Sequence, residues 1–272
     1  MPRNDILTTE GLTVEFGGLK ALNSVSVRVG EGEILSVIGP NGAGKTTFFN
    51  AITGTCTPTG GEVLFRGERI SGLKPHEIAR RGVARSFQNL KPFAEMSVVE
   101  NVLVGREMHF RTGLPAAVLR TSACRADEQR AMERALELLE FVGLTRRRNT
   151  LARDLTYGEQ KMLEIARALA LEPRLILLDE PVAGMNPTET GFVMELVRKI
   201  KEQGITVLMI EHDMKMVMGI SERIYVLVHG ELVAEGSPLE VRNNTRVIEA
   251  YLGGGKKRES GSGNRESGLD NA

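Results

Sequence analysis

Net charge is what this sequence most plainly lacks: 35 basic side chains cancel 35 acidic ones over 272 residues. A neutral chain casts no broad field toward a polyanion, so neither nucleic acid nor an anionic membrane is an expected partner. Cysteine is scarce as well. Cys56 and Cys124 stand far apart with no metal-type spacing, as expected of structural thiols in a reducing compartment. No apolar run approaches the roughly 18 residues that a spanning helix needs. The opening Met1-Pro-Arg-Asn-Asp5 has no apolar stretch of signal-peptide length. These absences lead to the expectation of a cytosolic protein that reaches a membrane only through a partner. What is present is an ordinary 41% of hydrophobic residues, enough for a large core with a subdomain attached.

The stretch with the most chemistry is Gly39-Pro-Asn-Gly-Ala-Gly-Lys-Thr-Thr47. It follows the apolar run Ile34 to Ile38 and precedes a segment of helical character, Phe48 to Thr53, so it sits where a strand turns into a helix. Gly39, Gly42 and Gly44 let the backbone bend tightly and approach an anion, so that successive N–H groups and the helix start face phosphate oxygens. Lys45 adds a point charge for β and γ phosphates, and the Thr46 hydroxyl can ligate Mg2+.

Before this loop, residues 5 to 38 read as short strands, with alternation in Val25 to Val29 and a turn at Gly30-Glu-Gly32. Phe16 can stack on a base or sit in a core, and position alone leaves the two readings even. Glu62 to Phe65 reads as a hairpin strand pairing with the first ones. Val83 to Phe87 is a buried strand candidate ending on Gln88, whose amide can reach a cation or water, or simply cap the strand end. From Ser97 to about Arg153 the pattern is helical. A helix over Ala126 to Val142 presents Met132, Ala135, Leu136, Leu139 and Val142 as core, with Gly143 as its stop. Residues 111 to 124 read as a loop with a short helix.

Thr156 and Glu159 have capping-box spacing ahead of a helix over Lys161 to Leu171. With Gly158, the same helix start is also a second potential phosphate binder, and one chain has no evident reason to need two. Leu175 to Leu178 is a continuous apolar run suited to a buried parallel strand, and it delivers Asp179 and Glu180 to the edge where open α/β sheets bind ligands. Two adjacent acids there call for different tasks: Asp179 in a Mg2+ shell, Glu180 in activating water. A helix over Thr188 to Gln203 follows. The strand Ile205 to Ile210 then ends on Glu211-His212-Asp213, which puts His212 at the same kind of edge, as a γ-phosphate contact. His76, His109 and His229 have no comparable placement. Ile224 to Val228 and Glu231 to Ala234 read as a strand, turn and strand. The Gly- and Ser-rich tail from Gly253 cannot bury a core and is expected to be disordered.

Taken together, the Gly39 loop, Gln88, Leu155-Thr-Tyr-Gly-Glu-Gln160, Leu175 to Glu180 and His212 resemble the Walker A, Q-loop, signature, Walker B and switch histidine of ABC transporter ATPases. The wording is most similar to the LivG type of branched-chain amino acid importer subunits. Phe16-Gly-Gly-Leu-Lys-Ala-Leu, Arg85-Ser-Phe-Gln-Asn-Leu, Asp179-Glu-Pro-Val-Ala-Gly-Met-Asn-Pro and Val247-Ile-Glu-Ala-Tyr-Leu-Gly253 carry that likeness. The resemblance implies an α/β P-loop NTPase core with a mainly parallel sheet, an antiparallel β subdomain and an inserted helical subdomain. Residues 1–253 would form a single nucleotide-binding domain. Residues 5–88 and 154–253 would be its catalytic core with the β subdomain, 89–153 the helical part, and 254–272 a disordered tail.

It further implies ATP and Mg2+ as ligands, with Phe16 on adenine and Asn41, Lys45, Thr46 and Thr47 of the loop on phosphates. Thr46, Gln88 and Asp179 would serve the metal, while Glu180, His212 and Gln88 would serve hydrolysis. Thr156 and Gly158 would cover the ATP of a second cassette subunit, identical or sister, which explains two phosphate sites in one chain. Permease subunits, and indirectly a substrate-binding protein, would be the further partners, holding the chain at the inner face of the cell membrane. The chain departs from the general family pattern in two places. In the signature Thr156, Tyr157 and Glu159 replace Ser, Gly and Gln, so that the Glu159 carboxylate must turn away from any phosphate, and after the Walker B acids Asn186 replaces an Asp. Other readings are a cassette for another amino acid or amide, or for lipopolysaccharide export. A soluble cassette acting on ribosomes or DNA is a third, although such proteins usually carry two cassettes or a long heptad run, and neither is found here.

Overall fold

Alternation of buried valines with exposed Ser26 and Arg28 along β2 (Leu19–Gly30) marks a strand with one face inward, and its antiparallel partner β1 (Asp5–Phe16) has the same character. The computed structural model describes residues 4–86, 92–109 and 121–252. The first two strands are longer than their sequence suggests, because bulges at several points let the pairing continue through Gly11 and Ser24. β3 (Ile34–Ile38) is buried at every residue and leads into α1 (Lys45–Ile52). β4 (Gly60–Phe65) pairs with β1 as expected, and β5 (Glu68–Arg69) completes a four-stranded antiparallel sheet of order β2-β1-β4-β5. α2 (Pro75–Arg80) then leads to β6 (Val83–Arg85).

Helices α3 (Val98–Arg106) and α4 (Ser122–Phe141) fall between β6 and the signature-like segment. α5 (Tyr157–Leu169), β7 (Leu175–Asp179), α6 (Pro187–Glu202) and β8 (Thr206–Ile210) follow. The chain continues through α7 (Met214–Ile220), β9 (Arg223–Val228), β10 (Glu231–Gly236), α8 (Pro238–Arg242) and α9 (Thr245–Leu252). β6, β7, β8, β3 and β9 run parallel, and β10 closes the second sheet antiparallel to β9, in the order β10-β9-β3-β8-β7-β6.

Period-two geometry divides this sheet between two cores. Leu35, Val37, Leu175, Leu177, Leu208 and Ile210 face the antiparallel sheet, with Phe48 and Phe49 of α1 packed in the same cluster. Ile34, Ile176, Leu178, Val207 and Met209 face the other way, onto α3, α4, α5 and α6. Every residue of β3, β7 and β8 is buried, which is why those runs are apolar apart from Ser36, Asp179 and Thr206.

One expected core position is corrected. Met132 is 39% exposed, because α4 turns Cys124, Asp127, Ala131, Ala135, Leu138 and Leu139 inward. Met132 lies about 100° around the helix from Ala131, off that stripe. The helix also starts earlier than expected, at Ser122, where the Thr121 hydroxyl accepts from Cys124 N; the expected loop over 111 to 124 is therefore helical at its end, and residues 111–120 lie outside the described set. Gly143 ends the helix as anticipated, at φ +78° with Leu144 N donating to Leu139 O at 2.7 Å. Among the described residues no helix is long and apolar enough to cross a membrane.

Candidate active site at the carboxyl edge of the parallel sheet

Because β3, β6, β7 and β8 run the same way, their ends deliver Gly39, Ser86, Asp179 with Glu180, and Glu211 with His212 to one edge. At that edge a cleft of about 400 Å3 is lined by Asn41 to Thr47, Glu180, His212, Leu19, Lys20, Ala21 and His229. The loop owes its shape to glycine at Gly44. It caps α1 at φ +99°, and a Cβ there would lie 2.5 Å from the Ala21 carbonyl oxygen. Gly42, at φ +80°, has no atom within 4 Å of its would-be Cβ and borders open space, as a residue beside a ligand must. Lys45 is buried, with Nζ donating to Gly39 O at 2.7 Å and Pro40 O at 3.0 Å. Burial pushes its pKa down, and the nearby Glu180 and Asp179 carboxylates pull it back up.

The two adjacent acids have different surroundings. Asp179, 1% exposed, accepts from Arg85 Nη2 at 2.6 Å through Oδ2, and its Oδ1 is buried with no hydrogen-bond partner among the described residues. Arg85 also donates to Asn50 Oδ1 at 2.7 Å and stacks over the Phe49 ring. Glu180 sits just past the strand end at φ +49°, a conformation non-glycine residues seldom adopt. It is held there by its own N–H on Ile210 O at 2.9 Å and by Lys161 Nζ on its carbonyl at 3.2 Å. Its Oε1 lies 2.8 Å from His212 Nε2.

The loop carrying His212 is fixed by Glu211, 2% exposed. Glu211 Oε1 accepts from Val182 N at 3.0 Å, and its Oε2 accepts from His212 N at 2.7 Å and Asp213 N at 3.1 Å. Burial lowers the Lys161 pKa, while Asp179 and Glu180 are foremost among the carboxylates opposing it.

The structure thus gathers Asn41, Gly42, Gly44, Lys45, Thr46, Thr47, Glu180 and His212 around one cleft, with Gly39 at the loop's start and Asp179 just beneath. Phe16 stands at the end of β1, 55% exposed and not among the cleft-lining residues. Gln88 lies outside the described residues. Sequence reasoning missed Arg85, Lys161, Glu211 and His229. Glu211 carried a usable signal, being a carboxylate at a buried strand's end beside the chosen histidine. His229 carried a similar one, directly after the apolar strand Ile224 to Val228, whereas Arg85 and Lys161 become visible only through tertiary packing.

Thr156 and Gly158 lie elsewhere, on a separate pocket of about 260 Å3 bordered by Glu159, Met162, Met185 and Phe192, sharing no lining residue with the first. The capping box is real: Thr156 Oγ1 accepts from Glu159 N at 3.3 Å, and Glu159 Oε2 accepts from Thr156 N at 2.9 Å. Arg147 Nε donates to the other oxygen of Glu159 at 2.8 Å, so both carboxylate oxygens are engaged, one at the helix start and one by the guanidinium. Burial pushes the Glu159 carboxyl up, but the hydrogen bonds from Thr156 and Arg147 outweigh it and hold its pKa below the usual range. Asn186 is likewise a cap, its Oδ1 accepting from Thr188 N and Glu189 N at the start of α6.

A resident metal cage is absent among the described residues, where no three His, Cys, Asp or Glu side chains converge. Mg2+ is held by one or two protein oxygens together with substrate phosphates. The unpartnered Asp179 Oδ1 and the Thr46 hydroxyl on the cleft are oxygens of the right kind.

A glycine-rich anion cradle at the head of a parallel sheet, faced by a strand-end Glu–His pair, defines a nucleotide-hydrolysing P-loop cassette. The ABC transporter family profile matches residues 22–183, and that of branched-chain amino acid ATP-binding cassette transporters matches residues 231–257. The chain is 50% identical over 249 residues to the high-affinity branched-chain amino acid transport ATP-binding protein BraF of Pseudomonas aeruginosa, covering 91% of this chain and 98% of that one. It is 49% identical, with the same coverage, to LivG of Salmonella typhimurium. Among solved structures, a nucleotide-free ATP-binding cassette from an ABC transporter superposes with a TM-score of 0.80 at 35% identity, covering 91% of this chain and 98% of that one. A dimeric cassette in a post-hydrolysis state bound to ADP and phosphate superposes at 0.73 with 28% identity, covering 85% and 98%. The chain belongs to the ABC transporter family of ATP-binding cassettes, in the branch of the LivG-type proteins, and is an ATPase.

Proposed function

We propose that this chain is the ATP-hydrolysing subunit of a membrane importer for branched-chain amino acids, driven by ATP-dependent closure of a cassette dimer. The observation that carries the hydrolytic part is the Glu180–His212 pair, 2.8 Å apart, facing the phosphate loop across one cleft. Similarity to BraF and LivG over 98% of their lengths supports the cargo.

ATP lies with its phosphates on the amides of Asn41 to Thr47, and Lys45, now resting on loop carbonyls, meets the β and γ phosphates. Thr46 and Asp179, with Gln88, would hold Mg2+, which would supply positive charge to the phosphates. Glu180 orients and polarises a water for in-line attack on the γ phosphorus. The bond to the β–γ bridging oxygen breaks, and ADP and phosphate form. His212, held on the rigid Glu211 loop, stabilises the charge that develops on the γ oxygens.

Thr156 and Gly158 cover the ATP of a second cassette, a copy of this chain or a sister. Hydrolysis releases that grip, and movement of the α3–α4 region drives permease subunits docked on it, which also hold the chain at the membrane. A substrate-binding protein acts upstream of the permease.

Replacing Glu180 by Gln keeps shape and removes the base. Nucleotide binding is expected to persist while turnover falls by about a hundredfold or more and ATP-bound dimers accumulate, read by phosphate release and size-exclusion chromatography. Ordinary turnover in that variant would remove Glu180 from this role.

A further inference from the structure

Sequence reasoning assigned His229 nothing, yet it lines the cleft beside the phosphate loop. It occupies the tight turn between β9 and β10 at φ +50°, in the left-handed region that a non-glycine residue enters only when its surroundings hold it there. The holding groups are specific. Gly230 N donates to Ala43 O of the phosphate loop at 3.0 Å, and Asn23 N of β2 donates to Gly230 O at 2.8 Å. A Cβ on Gly230 would lie 2.7 Å from Ala21 O, so the turn is pressed closely between loop and strand. The position of His229 is therefore tied to that of the phosphate cradle itself.

Strand order gives the cleft a direction. β7 and β8, which carry Glu180 and His212, lie on one side of β3, and β9 lies on the other. With the terminal phosphate at the Glu180 and His212 end, the rest of the nucleotide extends over the loop toward β9. That end is walled by Leu19, Lys20, Ala21 and His229. The loop amides and Lys45 already serve the phosphates, and Leu19 and Ala21 present apolar surface. Two polar tips remain: the Lys20 ammonium, which only donates, and the His229 imidazole, which when neutral offers one donor and one acceptor, the complement of a vicinal diol.

We propose that His229 is a nucleotide-binding residue whose imidazole hydrogen-bonds the ribose hydroxyls of ATP, from a turn clamped to the phosphate loop. The assignment rests on the ATPase reading of this cleft and adds a contact that discriminates the sugar.

The test compares the affinities of ATP and 2′,3′-dideoxy-ATP for the full chain, for His229→Gly and for His229→Asn. Glycine is at ease at φ +50°, so the deletion does not strain the turn, and asparagine tolerates that region while keeping a donor and an acceptor. The native chain is expected to prefer ATP by about threefold to tenfold, the worth of one or two net hydrogen bonds. His229→Gly loses that preference by binding ATP more weakly while binding the dideoxy analogue as before, and His229→Asn restores part of it. Equal losses for both nucleotides, no loss for either, or a native chain indifferent to the ribose hydroxyls would each overturn the assignment. A native chain that binds neither nucleotide would overturn the ATPase reading with it.

Discussion

Asp179 and Glu180 are consecutive, and the structure separates them by partner: a buried guanidinium for the first, an imidazole across the cleft for the second. The sequence required different tasks of them because two bare acids repel, but it did not reveal Arg85, ninety-four positions from Asp179 in the chain. Both members of that ion pair are almost wholly buried, so removing one strands the other in a low-dielectric interior. In metal-free buffer Arg85→Met is expected to lower stability by about 3–5 kcal/mol in urea unfolding. Adding Asp179→Asn should recover part of that loss, because the second change removes the stranded charge. Strictly additive losses would mean that the pair is not coupled.

Among the elements, α5 shows how far local pattern reaches. Thr156 and Glu159 at capping-box spacing marked a helix start; the structure supplies both reciprocal hydrogen bonds and begins the helix at Tyr157, ahead of the expected Lys161, because the cap sets the first turn directly after Thr156. Arg147, which decides where the Glu159 carboxylate points, comes from a neighbouring turn and left no local trace. Glu159→Gln is expected to cost about 1 kcal/mol at neutral pH, for a cap that is partly exposed and an ion pair with a half-exposed arginine. The folded state lowers this carboxyl's pKa, so its contribution is present above the unfolded value and is lost as pH falls through the folded one. The stability gap between native and variant chains should therefore close on acidification below the ordinary carboxylate range, as followed by thermal melts across pH. The largely apolar runs of β3, β7 and β8 were legible for a different reason: burial on both faces leaves no room for alternation. Met132 was misplaced because helical periodicity gives the existence of a stripe more firmly than its edges: Ala135, Leu139 and Val142 are buried as expected, but α4 packs Ala131 inward where Met132 was expected.

For the molecule as a whole, motifs from Gly39 to His212 converge because five parallel strands place their ends along one line, so the principal cleft could be read from motif order and strand-end chemistry. His229 follows the carboxyl end of β9, which runs parallel to β3, so topology brings it to that same edge; it escaped the reading because Ile224 to Val228 and Glu231 to Ala234 read only as strand, turn and strand, which does not give the direction of the first relative to β3. The cleft over the Gly39 loop and the pocket beside Thr156 are disjoint surfaces of one chain. If each nucleotide is enclosed by one surface from either subunit of a symmetric pair, damage to the two surfaces is genetically complementary. Chains carrying Lys45→Ala and chains carrying Gly158→Asp, each inactive alone, should on equal mixing regain about a quarter of native turnover: half the pairs are mixed, and each has one undamaged enclosure of two. A mixture as silent as its parents would mean that both surfaces answer to the same nucleotide within a single polypeptide.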